Sequence, residues 1–134
     1  MKFFKNDDII NSNRRSWRQT EIDVGAEYPD FSAQKSFKNR QEVGYAIKGS
    51  SRPDFYKEGV SIEVKNYNLS TSTNRNNLVR NINRAYEKRL VNLPEGTRQK
   101  VVVDLRGQEV SVEVLQKIKN TVNTNIKLEF YKGR

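Results

Sequence analysis

Two carboxylates and a lysine lie on either side of a glycine turn near the middle of the chain, and together they could do chemistry. Asp54 follows Arg52-Pro53, and Glu63-Val64-Lys65 begins nine residues later in a run typical of a strand. Side chains two apart share a strand face, which puts Glu63 and Lys65 about 7 Å from each other. Asp54 would come from the neighbouring strand across Glu58-Gly59. Such a group can hold a divalent metal and orient an activated water.

The same spacing also fits an ion-pair patch on a solvated sheet face, which would do no chemistry. Burying these charges would be costly unless a metal, or the charges themselves, compensated them. That cost favours the interpretation as a metal site.

The composition narrows the chemistry further. The chain has 134 residues, enough for one domain with one modest core, and it contains neither cysteine nor histidine. This composition excludes disulfides, thiolate or imidazole metal sites and serine–histidine triads. Any metal must be a hard cation bound by oxygen, so the expected cofactor is Mg²⁺ or Mn²⁺.

The formal net charge is +9, and the mean hydropathy is −0.89. Such a surplus of cations either keeps the protein soluble or attracts a polyanion such as nucleic acid. No apolar run is long enough for a membrane span, and the first residues are too charged for a signal peptide. We expect no stable membrane association.

We predict a tail or linker remnant over residues 1–11 and a single domain over residues 12–134. Ser12 or Asn13 could cap a first helix that runs to about Val24 and ends at Gly25. At helical spacing Trp17, Glu21 and Val24 share one face, which we expect to point inward.

The remaining periodicity predicts six strands and two helices. The predicted strands cover residues 32–37, a short stretch ending near 47, residues 52–56 and residues 60–69, with a turn at residues 38–40; then come a helix over 75–93, a strand over 99–105, a helix over 111–122 capped by Ser111, and a strand over 126–131. Val79, Ile82, Tyr86 and Leu90 of the long helix are expected inward, as are Val112, Leu115, Ile118 and Val122 of the last helix. The fold class is α/β, an α+β arrangement with a mixed sheet and helices packed on it.

Pro53-Asp54 and Glu63-Val64-Lys65 together resemble the signature of the PD-(D/E)xK nuclease superfamily, whose fold is restriction-endonuclease-like. The superfamily core has the order αβββαβ, and the predicted elements follow that order up to Leu105, with an added C-terminal helix and strand. The resemblance implies a hydrolase that cuts phosphodiester bonds with Mg²⁺.

The resemblance also implies roles for individual residues. Asp54 and Glu63 would coordinate the metal, and Lys65 would assist the water. Many members add a glutamate from the first helix, for which Glu21 is the match and Glu27 the reserve.

Ser16-Trp17-Arg18-Gln19-Thr20-Glu21 and the stretch from Ile62 to Asn68 are similar to C-terminal toxin domains of bacterial polymorphic secreted proteins, including contact-dependent growth-inhibition toxins. This similarity implies a nuclease that is secreted or delivered from a cell surface, acts in the cytoplasm of the target cell, and is neutralised by a cognate immunity protein.

Substrate contacts are expected on the helix that follows the catalytic strand. Arginine and asparagine hydrogen-bond phosphates, and asparagine also reads adenine edges. The candidates are Asn77, Arg80 and Arg84, with Arg52 in the loop before Asp54.

Three alternatives stay open. Toxins of this fold cut DNA or transfer RNA; we favour DNA, the commoner substrate of the superfamily, although Tyr56 and Tyr67 could stack on unpaired bases. A non-catalytic basic nucleic-acid-binding domain is the second alternative. The third is a structural interaction domain without affinity for nucleic acid.

Overall fold

The computed structural model describes residues 13–133. The predicted tail over residues 1–11 and the helix cap considered at Ser12 lie outside the described residues. The elements in chain order are α1 (Trp17–Gly25), β1 (Ser32–Ala33), β2 (Ser36–Lys38), β3 (Gln41–Val43), β4 (Phe55–Lys57), β5 (Val60–Lys65), α2 (Ser72–Asn92), β6 (Arg98–Asp104), α3 (Val112–Thr121) and β7 (Lys127–Tyr131). None of the helices within this part of the chain is long and apolar enough to cross a membrane.

Five strands form one mixed sheet in the order β1-β4-β5-β6-β7. β4 and β5 form an antiparallel hairpin that pairs Phe55 with Ile62, and β1 extends it at the edge. The chain then crosses over through α2 to β6, parallel to β5, and through α3 to β7, parallel to β6. The predicted mixed sheet with packed helices is therefore confirmed, and β5 lies at its centre.

The sheet separates two apolar clusters because strand side chains alternate between faces. Val24 of α1 packs with Ile62 and Val102 on one face. On the other face α2 and α3 cover β6 and β7 through a larger cluster that includes Ile82 and Ile118. Ile62 and Val64 face the cluster with Val24, whereas Glu63 and Lys65 lie on the opposite face of β5, as strand alternation predicts.

The first helix begins later than predicted. Ser16 is its N-cap, and its Oγ accepts a hydrogen bond from the Gln19 backbone N–H at 3.1 Å, so the cap at Asn13 is wrong. The end at Gly25 is confirmed. Trp17 was expected inward but is 63% exposed, and Thr20 is buried instead.

The two longer helices agree with the prediction in extent and differ from it in part of their buried faces. Thr71 caps α2 and Ser111 caps α3. Leu90 was expected inward but is exposed, because the buried face of α2 follows Leu78, Ile82 and Tyr86. Val112 was also expected inward but is exposed, at the first position of α3.

The region between α1 and β4 is more broken than predicted. Gln34 adopts a positive φ of 64°, which divides the predicted strand over residues 32–37 into β1 and β2. β2 and β3 form a separate hairpin that turns at Asn39 and Arg40, both with positive φ, as the predicted turn requires. The strand predicted from Arg52 begins only at Phe55, so Asp54 precedes it.

Candidate active site

Asp54 is held against the central strand by a backbone hydrogen bond. It lies directly before β4, and its Oδ2 accepts a hydrogen bond from the Val64 N–H at 2.7 Å. Val64 separates Glu63 from Lys65 in β5. The bond therefore fixes the Asp54 carboxylate beside the two other motif residues.

The loop that leads to Asp54 is anchored by Asn92, the last residue of α2. The buried Asn92 amide donates to the Gly49 carbonyl at 2.8 Å and to Ser51 Oγ at 3.0 Å, and its Oδ1 accepts from the Asn39 N–H at 3.2 Å. Ser51 also pairs with Phe37 of β2 as an isolated bridge. These contacts hold the chain three residues before Asp54.

Glu63 is almost enclosed between the sheet and α2. Its side chain is 13% exposed and forms an ion pair with Arg89 of α2, itself 14% exposed. Burial raises the pKa of Glu63 to about 7; the charge of Asp54 adds to the rise, whereas the charges of Arg89 and Lys65 oppose it. The carboxyl group is therefore poised to gain or lose a proton near neutral pH.

The pair of Glu63 and Arg89 is not fully satisfied. Glu63 Oε2 contacts Arg89 Nη2, but neither this oxygen nor Arg89 Nε makes a hydrogen bond of good geometry. A buried carboxylate oxygen without a hydrogen bond is costly, and a cation bound there would compensate it.

Asp54 also lies next to Glu21 of α1. Burial and then the charge of Asp54 raise the pKa of Glu21, and the charges of Arg52 and Arg18 oppose the rise. The carboxyl of Asp54 lies within hydrogen-bonding reach of Glu21 and also of Glu63. Asp54 is thus the common member of two acid pairs, Glu21/Asp54 and Asp54/Glu63.

Lys65 completes this neighbourhood. Its charge acts on Glu63, and the two side chains line a cavity of about 10 Å³ together with Ser61, Arg89 and Gln99. A volume of this size is at the lower limit for one water molecule. The structure therefore places Lys65 beside Glu63, as the alternation of the strand predicts.

Asp54 and Glu63 bring two carboxylates together at the motif. Within residues 13–133 no group of three histidine, cysteine, aspartate or glutamate side chains has the spacing of a metal-binding cluster. Magnesium in enzymes commonly takes only one or two carboxylates and completes its shell with water and substrate phosphate. Asp54 and Glu63 would supply two such carboxylates, and the assignment of Glu21, Asp54 and Glu63 as one joint set of ligands stays a prediction.

The reserve acid Glu27 is engaged elsewhere. Burial and a hydrogen bond with Glu27 raise the pKa of Tyr131 on β7, the edge strand opposite β1. Of the two glutamates considered on the first helix, it is Glu21 that the structure brings next to Asp54.

The predicted substrate contacts divide into two groups. Arg52 is exposed over the Tyr45 ring at 4.8 Å, and its charge reaches Glu21. Asn77 accepts a hydrogen bond from Arg80 at 2.7 Å on the first half of α2. Arg80 precedes Arg89 by nine residues, which is roughly 13 Å along the helix axis. Arg52 therefore adjoins the acid pairs, whereas Asn77, Arg80 and the exposed Arg84 lie farther along α2.

The two tyrosines considered for base stacking are occupied within the fold. Tyr67 packs against the larger cluster, and its hydroxyl accepts a hydrogen bond from Asn81 at 2.5 Å. The Tyr56 ring packs on Phe37 with centroids 4.6 Å apart.

Sequence reasoning missed Arg89 as a partner of the motif. A signal for it existed: Ile82, Tyr86 and Arg89 follow one another at spacings of four and three, so a cation lies on the buried face of α2. A cation on such a face requires an anion, and Glu63 on the facing strand is the anion it meets.

Sequence reasoning also missed a buried polar network behind α1. Thr20 Oγ1 donates to Asp104 Oδ2 at 2.7 Å, and Arg106 binds both Asp104 and Asp23. Burial tends to raise the pKa of Asp104, but the hydrogen bonds from Arg106 and Thr20 lower it overall. Because Thr20 immediately precedes Glu21, this network fixes where α1 presents Glu21.

No protein-family model matches the chain, and comparisons with curated proteins and with solved structures give no match either. The resemblance to the nuclease superfamily and to secreted toxin domains therefore stays a prediction from the motif.

Proposed function

We propose that this protein is a metal-dependent endonuclease that hydrolyses phosphodiester bonds of nucleic acid. The observation that carries the proposal is the position of Asp54 within hydrogen-bonding reach of both Glu21 and Glu63, with Lys65 beside Glu63. The chain order α1, then β1, β4 and β5, then α2 and β6 supports the finer proposal of a restriction-endonuclease-like αβββαβ core, with α3 and β7 added.

The acidic residues would bind the metal, and the basic residues would bind the water and the phosphates. Asp54 and Glu63 would hold Mg²⁺ or Mn²⁺, and Glu21 would add a third oxygen donor or hold a coordinated water. When bound, the metal supplies a Lewis acid for the phosphoryl oxygen and an activated water. Lys65 would orient that water and stabilise the charge that develops on the phosphate. Arg52 would position the nucleic-acid strand by binding its phosphates.

A cleavage assay tests the proposal. Purified protein is incubated with plasmid DNA and with total RNA, in Mg²⁺ and in EDTA. We expect cleavage in Mg²⁺ and none in EDTA. The cleavage rate should fall at least about a hundredfold in Asp54→Asn, Glu63→Gln and Lys65→Ala, because each substitution removes a proposed metal ligand or the charge that would stabilise the reacting phosphate. Thermal unfolding of each variant shows whether the fold survives.

Glu58→Gln is the matched control, because Glu58 is an exposed acid in the turn between β4 and β5. It should cleave as the unchanged protein does. Cleavage that persists in EDTA or in folded Asp54→Asn would contradict the metal mechanism, and the absence of cleavage of both polymers in Mg²⁺ and, in a repeat of the assay, in Mn²⁺ would contradict an enzyme.

The biological setting is a second layer of the same proposal: an antibacterial toxin domain, delivered into a target cell and blocked by an immunity protein. The surplus of cations supports it, since a basic nuclease offers an acidic inhibitor a complementary surface. Expression inside bacteria should arrest growth, and Asp54→Asn should abolish the arrest. Equal toxicity of the two proteins would remove this part of the proposal.

A non-catalytic nucleic-acid-binding domain is the second candidate, and the ion pair of Arg89 with Glu63 favours it. An arginine that already neutralises Glu63 leaves less need for a metal. This candidate expects salt-dependent binding of nucleic acid without cleavage in any metal.

A further inference from the structure

An aromatic cleft borders the acid pairs on the α1 side of the sheet. Its volume is about 260 Å³, and its walls are formed by Glu21, Ile22, Tyr28, Pro29, Phe31 and Phe55. Glu21 belongs both to this cleft and to the pair with Asp54. A molecule in the cleft would therefore lie next to the proposed reaction centre.

The rings of the cleft are fixed in place. Tyr28 and Phe31 meet edge to face, with centroids 5.3 Å apart and ring planes at 69°. A Cβ on Gly25 would lie 2.7 Å from the Phe55 ring, so the glycine is what allows that ring to close against α1. Lys100 donates to the Tyr28 hydroxyl at 2.5 Å and holds the tyrosine by its far end.

Cations surround this apolar floor. Lys57 Nζ lies 5.9 Å from the centroid of Phe31, and Lys57 itself is exposed at the end of β4. The charges of Arg18 and Arg52 act on Glu21. Flat apolar walls with cations at the margin suit a planar base that carries a phosphate.

We propose that the aromatic cleft binds one unpaired nucleobase of the substrate strand, with a flanking phosphate on Lys57 and the adjacent phosphodiester beside Glu21 and Asp54. The proposal rests on the proposed function and narrows its substrate to single-stranded or unpaired nucleic acid. Bases inside a duplex stack on each other and offer no free face, whereas unpaired bases stack on aromatic side chains in a sequence-tolerant way.

Binding in EDTA tests the proposal without cleavage. The probes are fluorescein-labelled single strands of DNA and RNA, each twelve nucleotides long, and the matched duplexes, followed by fluorescence anisotropy. Phe31→Leu and Tyr28→Leu keep an apolar side chain but remove the ring. We expect each to bind both single strands about tenfold more weakly, from the loss of one stacked base. Duplex affinity should change less than twofold.

Two variants that keep the ring are the matched controls. Phe31→Tyr and Tyr28→Phe should bind single strands within twofold of the unchanged protein. Ile22→Ala provides a variant whose folding is not in question, since Ile22 is 58% exposed; it opens one wall and should weaken single-strand binding several-fold. Thermal unfolding reports on the leucine variants.

The outcomes separate this inference from the proposed function. Unchanged single-strand affinity in Ile22→Ala and in folded leucine variants would overturn the cleft as a base site and would point to an apolar protein segment as its occupant. Equal losses for duplex and single strand would overturn the selectivity for unpaired bases. If binding depends on the rings but no Mg²⁺-dependent cleavage occurs, the cleft is a base site and the proposed nuclease activity is wrong. If Mg²⁺-dependent cleavage occurs but neither binding nor cleavage depends on the rings, the nuclease activity stands and the base site is wrong.

Discussion

Replacement of Arg89 by methionine is the most revealing perturbation of this fold. Methionine keeps much of the apolar stem of the arginine and removes the charge opposite Glu63. Both side chains are nearly enclosed, at 14% and 13% exposure. Removing one partner of a buried ion pair leaves the other charge without compensation, which commonly costs 3–5 kcal/mol. We expect a loss of about 3 kcal/mol in the free energy of unfolding at pH 8.

The loss should depend strongly on pH. The pKa of Glu63 rises from an ordinary 4.5 to about 7 on folding. A carboxyl with a raised pKa binds its proton more tightly when folded, so its favourable contribution is complete below pH 4.5 and disappears as the pH rises through about 7. The shift corresponds to roughly 3 kcal/mol in the unchanged protein. Without Arg89 the pKa should rise further, so at pH 5, where Glu63 is neutral, the variant should lose no more than about 1 kcal/mol.

Urea unfolding at pH 5 and pH 8 measures these differences, and the absence of histidine keeps this pH window free of imidazole titration. Glu63→Gln is the control for the charge, and it should remove most of the pH dependence. The double variant Glu63→Gln/Arg89→Met should be more stable at pH 8 than Arg89→Met alone, because no buried charge remains. A loss below about 1 kcal/mol at pH 8, or the same loss at both pH values, would refute the assignment of Glu63 and Arg89 as a buried pair.

Two further substitutions test how the site is positioned. Thr20→Val removes the hydroxyl that donates to Asp104, and we expect the free energy of unfolding in urea to fall by about 1–2 kcal/mol. Cleavage should also fall, because Glu21 directly follows Thr20 on α1, and Thr20→Ser should restore both stability and cleavage. Unchanged cleavage in Thr20→Val would show that the network around Asp104 does not position Glu21. Asn92→Ala removes the amide that holds Ser51 and the loop before Asp54, and we expect about 2–4 kcal/mol of destabilisation with faster proteolysis between residues 39 and 53. Proteolysis elsewhere, or at an unchanged rate, would contradict that anchoring role.

Alternation and capping made much of this architecture predictable. The strand through Ile62 alternates apolar and polar side chains, so its two faces could be assigned before the structure. Ser111 was one clear cap before one apolar helix, whereas three polar residues, Ser12, Asn13 and Ser16, precede the first helix, of which only Ser12 and Asn13 were considered and not Ser16. Local sequence could not choose between them, because each carries a side-chain oxygen of the kind that caps a helix.

The remaining errors come from contacts that are distant in sequence. Arg89 and Glu63 are 26 residues apart, and their meeting depends on the phase with which α2 lies across the sheet. Asp54 was expected inside a strand, but it precedes β4, where its side chain is free to bond the Val64 N–H across the hairpin. No local sequence pattern predicts either contact, although the position of Arg89 on the apolar face of α2 indicated that it needs a buried acidic partner.

The enclosed charges are consistent with the proposed binding of a cation, which we expect to stabilise the fold. A buried ion pair adds little to stability compared with apolar side chains of the same volume. Here the cost is greater still, because Asp54 lies beside two other carboxyls and Glu63 Oε2 makes no hydrogen bond. A cation between Asp54 and Glu63 would relieve the repulsion between the two carboxylates. If so, millimolar Mg²⁺ should raise the midpoint of thermal unfolding in the unchanged protein and not in Asp54→Asn, because a ligand that binds the folded state stabilises it. Equal midpoints of the unchanged protein in Mg²⁺ and in EDTA would contradict a cation site between Asp54 and Glu63.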